Sequence, residues 1–280
     1  MRVWAIANQK GGVGKTTSTV SLAGLLTEQG HKVLVVDLDP HGSLTSYFGY
    51  DPDALTSSTY QLFQGDDVVS KDGILALVVD TAVPGLSLIP TSPALATVER
   101  QMTGKDGMGL RVGKAMSVIE AEFDYVLLDC PPVLGVLMIN ALAACERLLV
   151  PVQTEFLALK GLERMTRTMQ MIQKARPQPL TFTIVPTMFD RRTQASVSSL
   201  NVLRKQYADN LWRATIPVDT KLRDASRLGK VPSQHDPEGR AVRAYRQLMN
   251  YILAEDKQVE DDQADAKQAD AKQASEQLTA

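Results

Sequence analysis

Eight residues near the N-terminus, Lys10-Gly11-Gly12-Val13-Gly14-Lys15-Thr16-Thr17, constrain this chain more than any other stretch. An apolar run, Val3-Trp4-Ala5-Ile6-Ala7, precedes them, and a helix-like segment follows from Thr16 to about Gln29. Strand, glycine loop and helix in that order is the context in which such a loop cradles phosphate. The glycines let the backbone curl so that its N–H groups face an anion, and the positive end of the helix faces the same point. Lys15 is expected at the β- and γ-phosphates, and the Thr16 hydroxyl on magnesium. Gly11, Gly12, Val13, Gly14, Lys15, Thr16 and Thr17 are therefore the candidate nucleotide-binding residues, with ATP and Mg²⁺ as cofactors.

The loop departs from the ordinary pattern. Gly14-Lys15-Thr16 fits its end, but Asn8 or Gln9 stands where a first glycine belongs, and an extra lysine, Lys10, lies five residues before Lys15. Two cations serving one triphosphate would be redundant. A lysine at the loop's outer edge is better placed to neutralise phosphate on a neighbouring subunit.

Further along, Lys32 to Asp37 reads as a second buried strand whose exit, Asp37-Leu38-Asp39-Pro40-His41-Gly42, carries alternating carboxylates. Ligands collect at that edge of a doubly wound sheet, and such acids suit contact with magnesium-bound water or orientation of an attacking water. Asp124-Tyr125-Val126-Leu127-Leu128-Asp129 repeats the pattern, placing Asp129 to hold magnesium through water. Cys130-Pro131-Pro132 and Gly135 then form a loop in which the glycine allows close approach to a γ-phosphate, a switch between nucleotide states. His41 is read as a loop histidine without a chemical role.

The remaining pattern predicts a short helix near Thr59–Phe63, a peripheral hairpin or strand around the apolar run Ile74–Val79, a strand at Leu86–Pro90 and a helix opened by Pro93. A flexible break at Gly104–Gly109 follows, then helical spacing over Leu110–Glu122 and a strand from Arg147. Leu157–Ala175 is a long helix with Met165, Met169 and Met171 as core filler, Thr181–Asp190 is a strand and its exit, and Trp212–Ile216 is the last strand. Two cysteines, Cys130 and Cys145, fit buried thiols in a reducing cytoplasm. The chain begins directly in a strand, no signal peptide is read, and no apolar run approaches the ~20 residues of a membrane span. Residues 1–253 are expected to form one α/β domain. Residues 254–280, with a repeated Gln-Ala-Asp-Ala-Lys, read as an acidic, disordered low-complexity tail.

The net charge of −2 hides a strong asymmetry: residues 1–163 sum to −7, residues 164–246 to +10 and residues 247–280 to −5. The basic stretch is either a set of solvated helix faces or the footprint of a polyanion. Arg191, Arg192, Arg223, Arg227, Lys230 and Arg243 are the candidate DNA contacts, and without a recognition helix or stacking aromatics the binding would be sequence-indifferent.

The glycine loop with Lys10 resembles the deviant Walker A motif of the ParA/MinD superfamily. The resemblance continues through Asp37-Leu38-Asp39-Pro40, Asp129-Cys130-Pro131-Pro132, Pro151-Val152-Gln153 and Thr187-Met188-Phe189-Asp190. It ends with Ile216-Pro217-Val218-Asp219 and Asp236-Pro237-Glu238-Gly239-Arg240, so that it covers residues 2 to about 253. It implies a doubly wound, mostly parallel twisted sheet with helices on both faces. It also implies slow, partner-stimulated ATP hydrolysis and an ATP-bridged homodimer in which Lys10 reaches the partner's phosphates. Lys10, Lys15 and Asp39 are the implied catalytic residues, with Thr16 on magnesium and Asp37 and Asp129 on it through water. Thr187, Met188, Asp190, Pro217 and Val218 are implied around the adenine. Where this chain has His41 the family usually has glutamine. Asp39–Tyr50 and Phe189–Ser196 are similar to the ParC-like subgroup that places chemotaxis arrays at a cell pole. The expected partners are an ATPase-stimulating adaptor, a polar or cargo protein and non-specific DNA, with no membrane, in the cytoplasm, on the nucleoid or at a pole. The alternatives are a chromosome or plasmid partitioner, a MinD-like membrane protein, an iron-protein relative and a dethiobiotin- or cobyrinate-type ligase.

Overall fold

The structure, a computed structural model, describes residues 1–64, 69–102, 108–176 and 180–278. In chain order the elements are β1 (Arg2–Ile6), α1 (Lys15–Glu28), β2 (Val33–Asp37), α2 (Ser43–Tyr47), a 3₁₀ turn (Thr59–Phe63), α3 (Lys71–Leu75), β3 (Val79–Asp80) and β4 (Leu86–Ile89). They continue with α4 (Leu95–Met102), a 3₁₀ turn (Met108–Leu110), α5 (Arg111–Val118), β5 (Tyr125–Asp129), α6 (Val136–Ala144), β6 (Arg147–Gln153), α7 (Phe156–Ala175) and β7 (Thr181–Thr187). The last are α8 (Gln194–Gln206), α9 (Lys221–Arg227), α10 (Pro232–His235) and α11 (Arg240–Leu278). The sheet order is β3-β4-β2-β5-β1-β6-β7, parallel throughout except for the β3–β4 pair at one edge.

Helices cover both faces, so β2 and β5 are buried at every residue and read as unbroken apolar runs rather than alternating ones. Side chains nevertheless alternate between faces. Val3, Ala5, Leu34, Val36, Val126 and Leu128 pack with α4 to α8, whereas Trp4, Ile6, Val33, Val35 and Leu127 pack with α1, α2 and α11. Met165 and Met169 fill the first core as expected, but Met171 is exposed, pointing off the opposite face of α7. Cys130 and Cys145 are both free and buried in that same core, and burial pushes each thiol up, Cys145 to about 12. Protonated, enclosed thiols are poor cluster ligands, which counts against the iron-protein alternative.

Two expectations are corrected. Trp212–Ile216 is not a strand: the segment makes isolated bridges at Leu211 and Pro217, because the neighbouring β7 contains Pro186, whose nitrogen has no hydrogen to give a ladder. The domain does not stop at 253, since α11 runs on to Leu278 and its residues Glu255 and Asp256 belong to the packed body. Arg147, 1% exposed at the start of β6, donates to Asp256 at 2.6 Å, to Glu255 at 2.9 Å and to Thr183 at 3.0 Å, and Arg2 pairs with Asp256 at 3.2 Å. The acids were assigned to a tail from composition, but their partners are distant in sequence. The break expected from Gly104 lies mostly outside the described residues.

A buried guanidinium that loses its carboxylates costs far more than a surface ion pair. Truncation after residue 253 is therefore expected to lower stability by about 3 kcal/mol, and truncation after residue 262 to leave it unchanged, read as denaturation midpoints in urea.

Candidate functional site

Parallel pairing aligns three strand ends. Ile6 of β1 is opposite Asp129 of β5, and Asp129 is opposite Asp37 of β2, so the glycine loop leaves the sheet beside two carboxylates. The loop's entry is pinned by Asn8, which is fully buried. Its side-chain amide donates to the Pro151 carbonyl at 2.7 Å, and its Oδ1 accepts the Lys10 amide at 3.1 Å. Gly12 (φ 72°) and Gly14 (φ 92°) occupy left-handed conformations that a side chain would strain. The Thr187 hydroxyl donates to the Val13 carbonyl at 2.8 Å, tying the loop to the end of β7.

Lys15 is buried, its ammonium 3.4 Å from the Lys10 carbonyl, so that it spans the loop's mouth. The Thr16 hydroxyl donates to Asp129 Oδ2 at 2.6 Å. Asp37 accepts from the backbone and hydroxyl of Thr45 at 2.8 and 2.7 Å, and from the Asp39 amide at 3.1 Å. Burial raises the carboxyls of both Asp37 and Asp129, and the charge of Asp37 raises Asp129 further, against the pull of Thr16 and Lys15. A hard oxygen donor set of one hydroxyl and two desolvated carboxyls fits magnesium, which keeps several waters and needs few protein ligands.

Lys10 is ion-paired with Glu155 of its own chain, the residue that precedes α7. Its Cβ packs 3.5 Å from the Cβ position of Gly161 on α7, and Gln9 donates to Thr168 of the same helix at 2.8 Å. The outer edge of the loop is thus docked on α7. None of these α7 contacts was legible in the sequence, because Glu155 and Thr168 lie about 150 residues away.

A cavity of about 480 Å³ opens beside the loop, lined by Gly14, Thr17, Thr187, Met188, Pro217 and Val218, the last four being residues that the resemblance implies around an adenine. It is also lined by Gln153, Asp219, Thr220, Leu222, Arg223, Ser226 and Tyr245, which sequence reasoning missed. Met188 has φ 51°, the one non-glycine residue in the left-handed region among the described residues, and it sits at this cavity. One assignment changes. Asp190 does not line this cavity: it is held by Arg192 at 2.7 Å, which pulls its carboxyl down to about 2, and it borders a smaller neighbouring cavity of about 260 Å³. Arg223, a candidate DNA contact by charge, lines the larger cavity from α9. Arg191, Arg192, Arg227, Lys230 and Arg243 are exposed; Arg192 is paired with Asp190, and Arg243 lies 4.0 Å from Glu238.

The comparisons with known proteins agree with this arrangement. The AAA domain family AAA_31 matches residues 1–182. The sporulation initiation inhibitor protein Soj of Bacillus subtilis is 33% identical over 254 residues, 90% of this chain and 98% of its own length. The chromosome partitioning protein ParA of Caulobacter vibrioides is 34% identical over 260 residues, 92% and 96% of the two chains. The chain belongs to the ParA/MinD superfamily of ATPases. A crystal structure of cobyrinic acid a,c-diamide synthase from Mycobacterium smegmatis with bound ADP and magnesium is similar in fold, with TM-score 0.78 and 34% identity over 92% of this chain and 96% of that one. The glycine loop here follows β1, which lies between β5 and β6 in the sheet.

In this ParA-type chain the loop after β5 is positioned by a residue outside the superfamily motifs. The Glu99 carboxylate on α4 accepts the amides of Val136 and Leu137 at 2.9 and 3.1 Å, capping the start of α6. A Cβ on Gly135 would lie 2.0 Å from Glu99 Oε2, so the space that glycine leaves is taken by this carboxylate. This packing is a reason for glycine at 135 beyond the expected approach to a γ-phosphate. Glu99→Ala is expected to cost about 1 kcal/mol in urea denaturation, with Glu99→Gln retaining most of the stability.

Proposed function

We propose that the chain is an ATP-operated dimerisation switch that partitions a chromosome or plasmid. The observation that carries the reading is the convergence of Lys15, Thr16, Asp129, Asp37 and Asp39 on one loop mouth beside a cavity of nucleoside size, with Lys10 at the outer edge. Lys15 and the loop amides bind the β- and γ-phosphates. Thr16, Asp37 and Asp129 would hold magnesium, whose positive charge would offset charge developing on the phosphates. Asp39 orients the attacking water, and the γ-phosphoryl group passes to that water, leaving ADP. Lys10 exchanges the single carboxylate of Glu155 for the more highly charged triphosphate of a second subunit. Loss of the phosphoryl group removes that attraction, the loop after Asp129 relaxes, and the subunits part.

The names of the Bacillus and Caulobacter relatives support a partitioning role. The chemotaxis-array cargo rested on Asp39–Tyr50 and Phe189–Ser196, and neither relative's name carries it, so partitioning is the preferred reading. The basic balance of residues 164–246 favours a polyanionic cargo over a small-molecule substrate of the kind the Mycobacterium structure's name implies. Dimerisation doubles the number of basic faces per particle, so that weak non-specific DNA contacts become ATP-dependent. An adaptor that stimulates hydrolysis completes the cycle, on the nucleoid in the cytoplasm. No helix among the described residues is long and apolar enough to cross a membrane, and the acidic end of α11 is unsuited to an anionic lipid surface.

Lys10→Ala is expected to leave ATP affinity within about twofold while abolishing the ATP-dependent dimer, because its contact is made only across the interface. Multi-angle light scattering that still gave a dimer mass with ATP would remove Lys10 from this role. Arg227→Glu with Lys230→Glu is expected to weaken binding to plasmid DNA and to lower the slope of log affinity against log salt by about 0.9 per lost phosphate contact. An unchanged slope in filter-binding titrations would make these side chains solvated charges only.

A further inference from the structure

The loop that carries Asp39 is rigid in its backbone. The Asp39 amide donates to Asp37 Oδ1 at 3.1 Å, the Gly42 amide donates to the Asp39 carbonyl at 2.9 Å, and α2 begins at once behind it. Both donors on Asp39 Oδ1 come from His41: its backbone amide at 3.1 Å and its ring Nδ1 at 2.8 Å. Asp39 Oδ2 accepts no hydrogen bond among the described residues, and the Asp39 side chain is only 15% exposed against 80% for His41. One carboxylate oxygen is therefore held twice by the same residue while the other is left for a ligand. An aspartate has two side-chain torsions, and fixing Oδ1 from two directions selects one orientation of the carboxylate plane.

We propose that His41 is a positioning residue for Asp39, setting the carboxylate so that Oδ2 alone is presented to the attacking water. The assignment rests on the reading of Asp39 as the residue that orients water. It replaces the expectation that His41 is without a chemical role. The bond requires hydrogen on Nδ1, a tautomer that the Asp39 contact itself selects. High exposure of the ring means that the contact adds little to folding stability, so its consequence lies in geometry. Nδ1 is separated from the backbone by the same number of bonds as the side-chain amide nitrogen of asparagine, whereas glutamine carries its amide one methylene further.

The test is steady-state ATP hydrolysis by the full-length chain with magnesium, comparing the natural protein with His41→Ala, His41→Asn and Asp39→Ala, alongside thermal denaturation. His41→Ala is expected to lower kcat about tenfold with KM for ATP within about twofold and an unaltered melting temperature. His41→Asn is expected to recover kcat to within about twofold. Asp39→Ala is expected to abolish turnover. If Asp39→Ala is inactive while His41→Ala turns over normally, the positioning role is wrong and the reading of Asp39 stands. If His41→Ala loses activity that asparagine does not restore, or loses it together with melting temperature, the residue is structural and the proposal fails. Full turnover by Asp39→Ala would overturn the reading of Asp39 and this proposal with it.

Discussion

Parallel hydrogen bonding between β1, β5 and β2 puts Ile6, Asp129 and Asp37 on one line across the sheet, and the site is referred to that line. A shift of register by one residue would turn both carboxylates to the opposite side of their strands and into a hydrophobic core. Every residue of β2 and β5 is buried, so a slip would have to repack both faces of the sheet at once. The same packing that stabilises the sheet therefore fixes the distance between the acids and the glycine loop.

That placement has an electrostatic consequence. Two carboxyls are desolvated side by side, with only the Thr16 hydroxyl, the Thr45 donors and the nearby Lys15 to compensate. Such a cluster is poorly satisfied by the chain alone and well satisfied by a hard divalent cation. On the outer edge the opposite holds. Lys10 already has a carboxylate partner in Glu155, and the docking of Asn8 and Gln9 on neighbouring elements keeps that edge in place. Inner and outer lysines thus differ in environment: one spans the mouth of the loop, and the other is held at its rim.

Long-range contacts also account for the chain's ends and surfaces. Glu255 and Asp256 sit in a stretch whose composition reads as a tail, yet they neutralise the buried Arg147 at the start of β6. Glu99 lies outside the superfamily motifs, yet it caps the helix that follows the Asp129 loop. Arg223 belongs by charge to a basic stretch, yet it lines the cavity beside the glycine loop. For the acids at 255 and 256 and for Glu99, the partner is supplied from more than thirty residues away.

The linear pattern determined the doubly wound class, the glycine loop, the order of the acidic strand ends and four residues, Thr187, Met188, Pro217 and Val218, that line one cavity. These follow from short-range rules, namely hydrophobic period, glycine spacing and acids at strand exits. Only the folded chain decided that Asp190 pairs with Arg192, that Glu155 holds Lys10, that His41 grips Asp39 and that Trp212–Ile216 is not a strand. Most of these depend on side-chain direction or on elements that meet only after the sheet has assembled, and a periodicity contains neither kind of information.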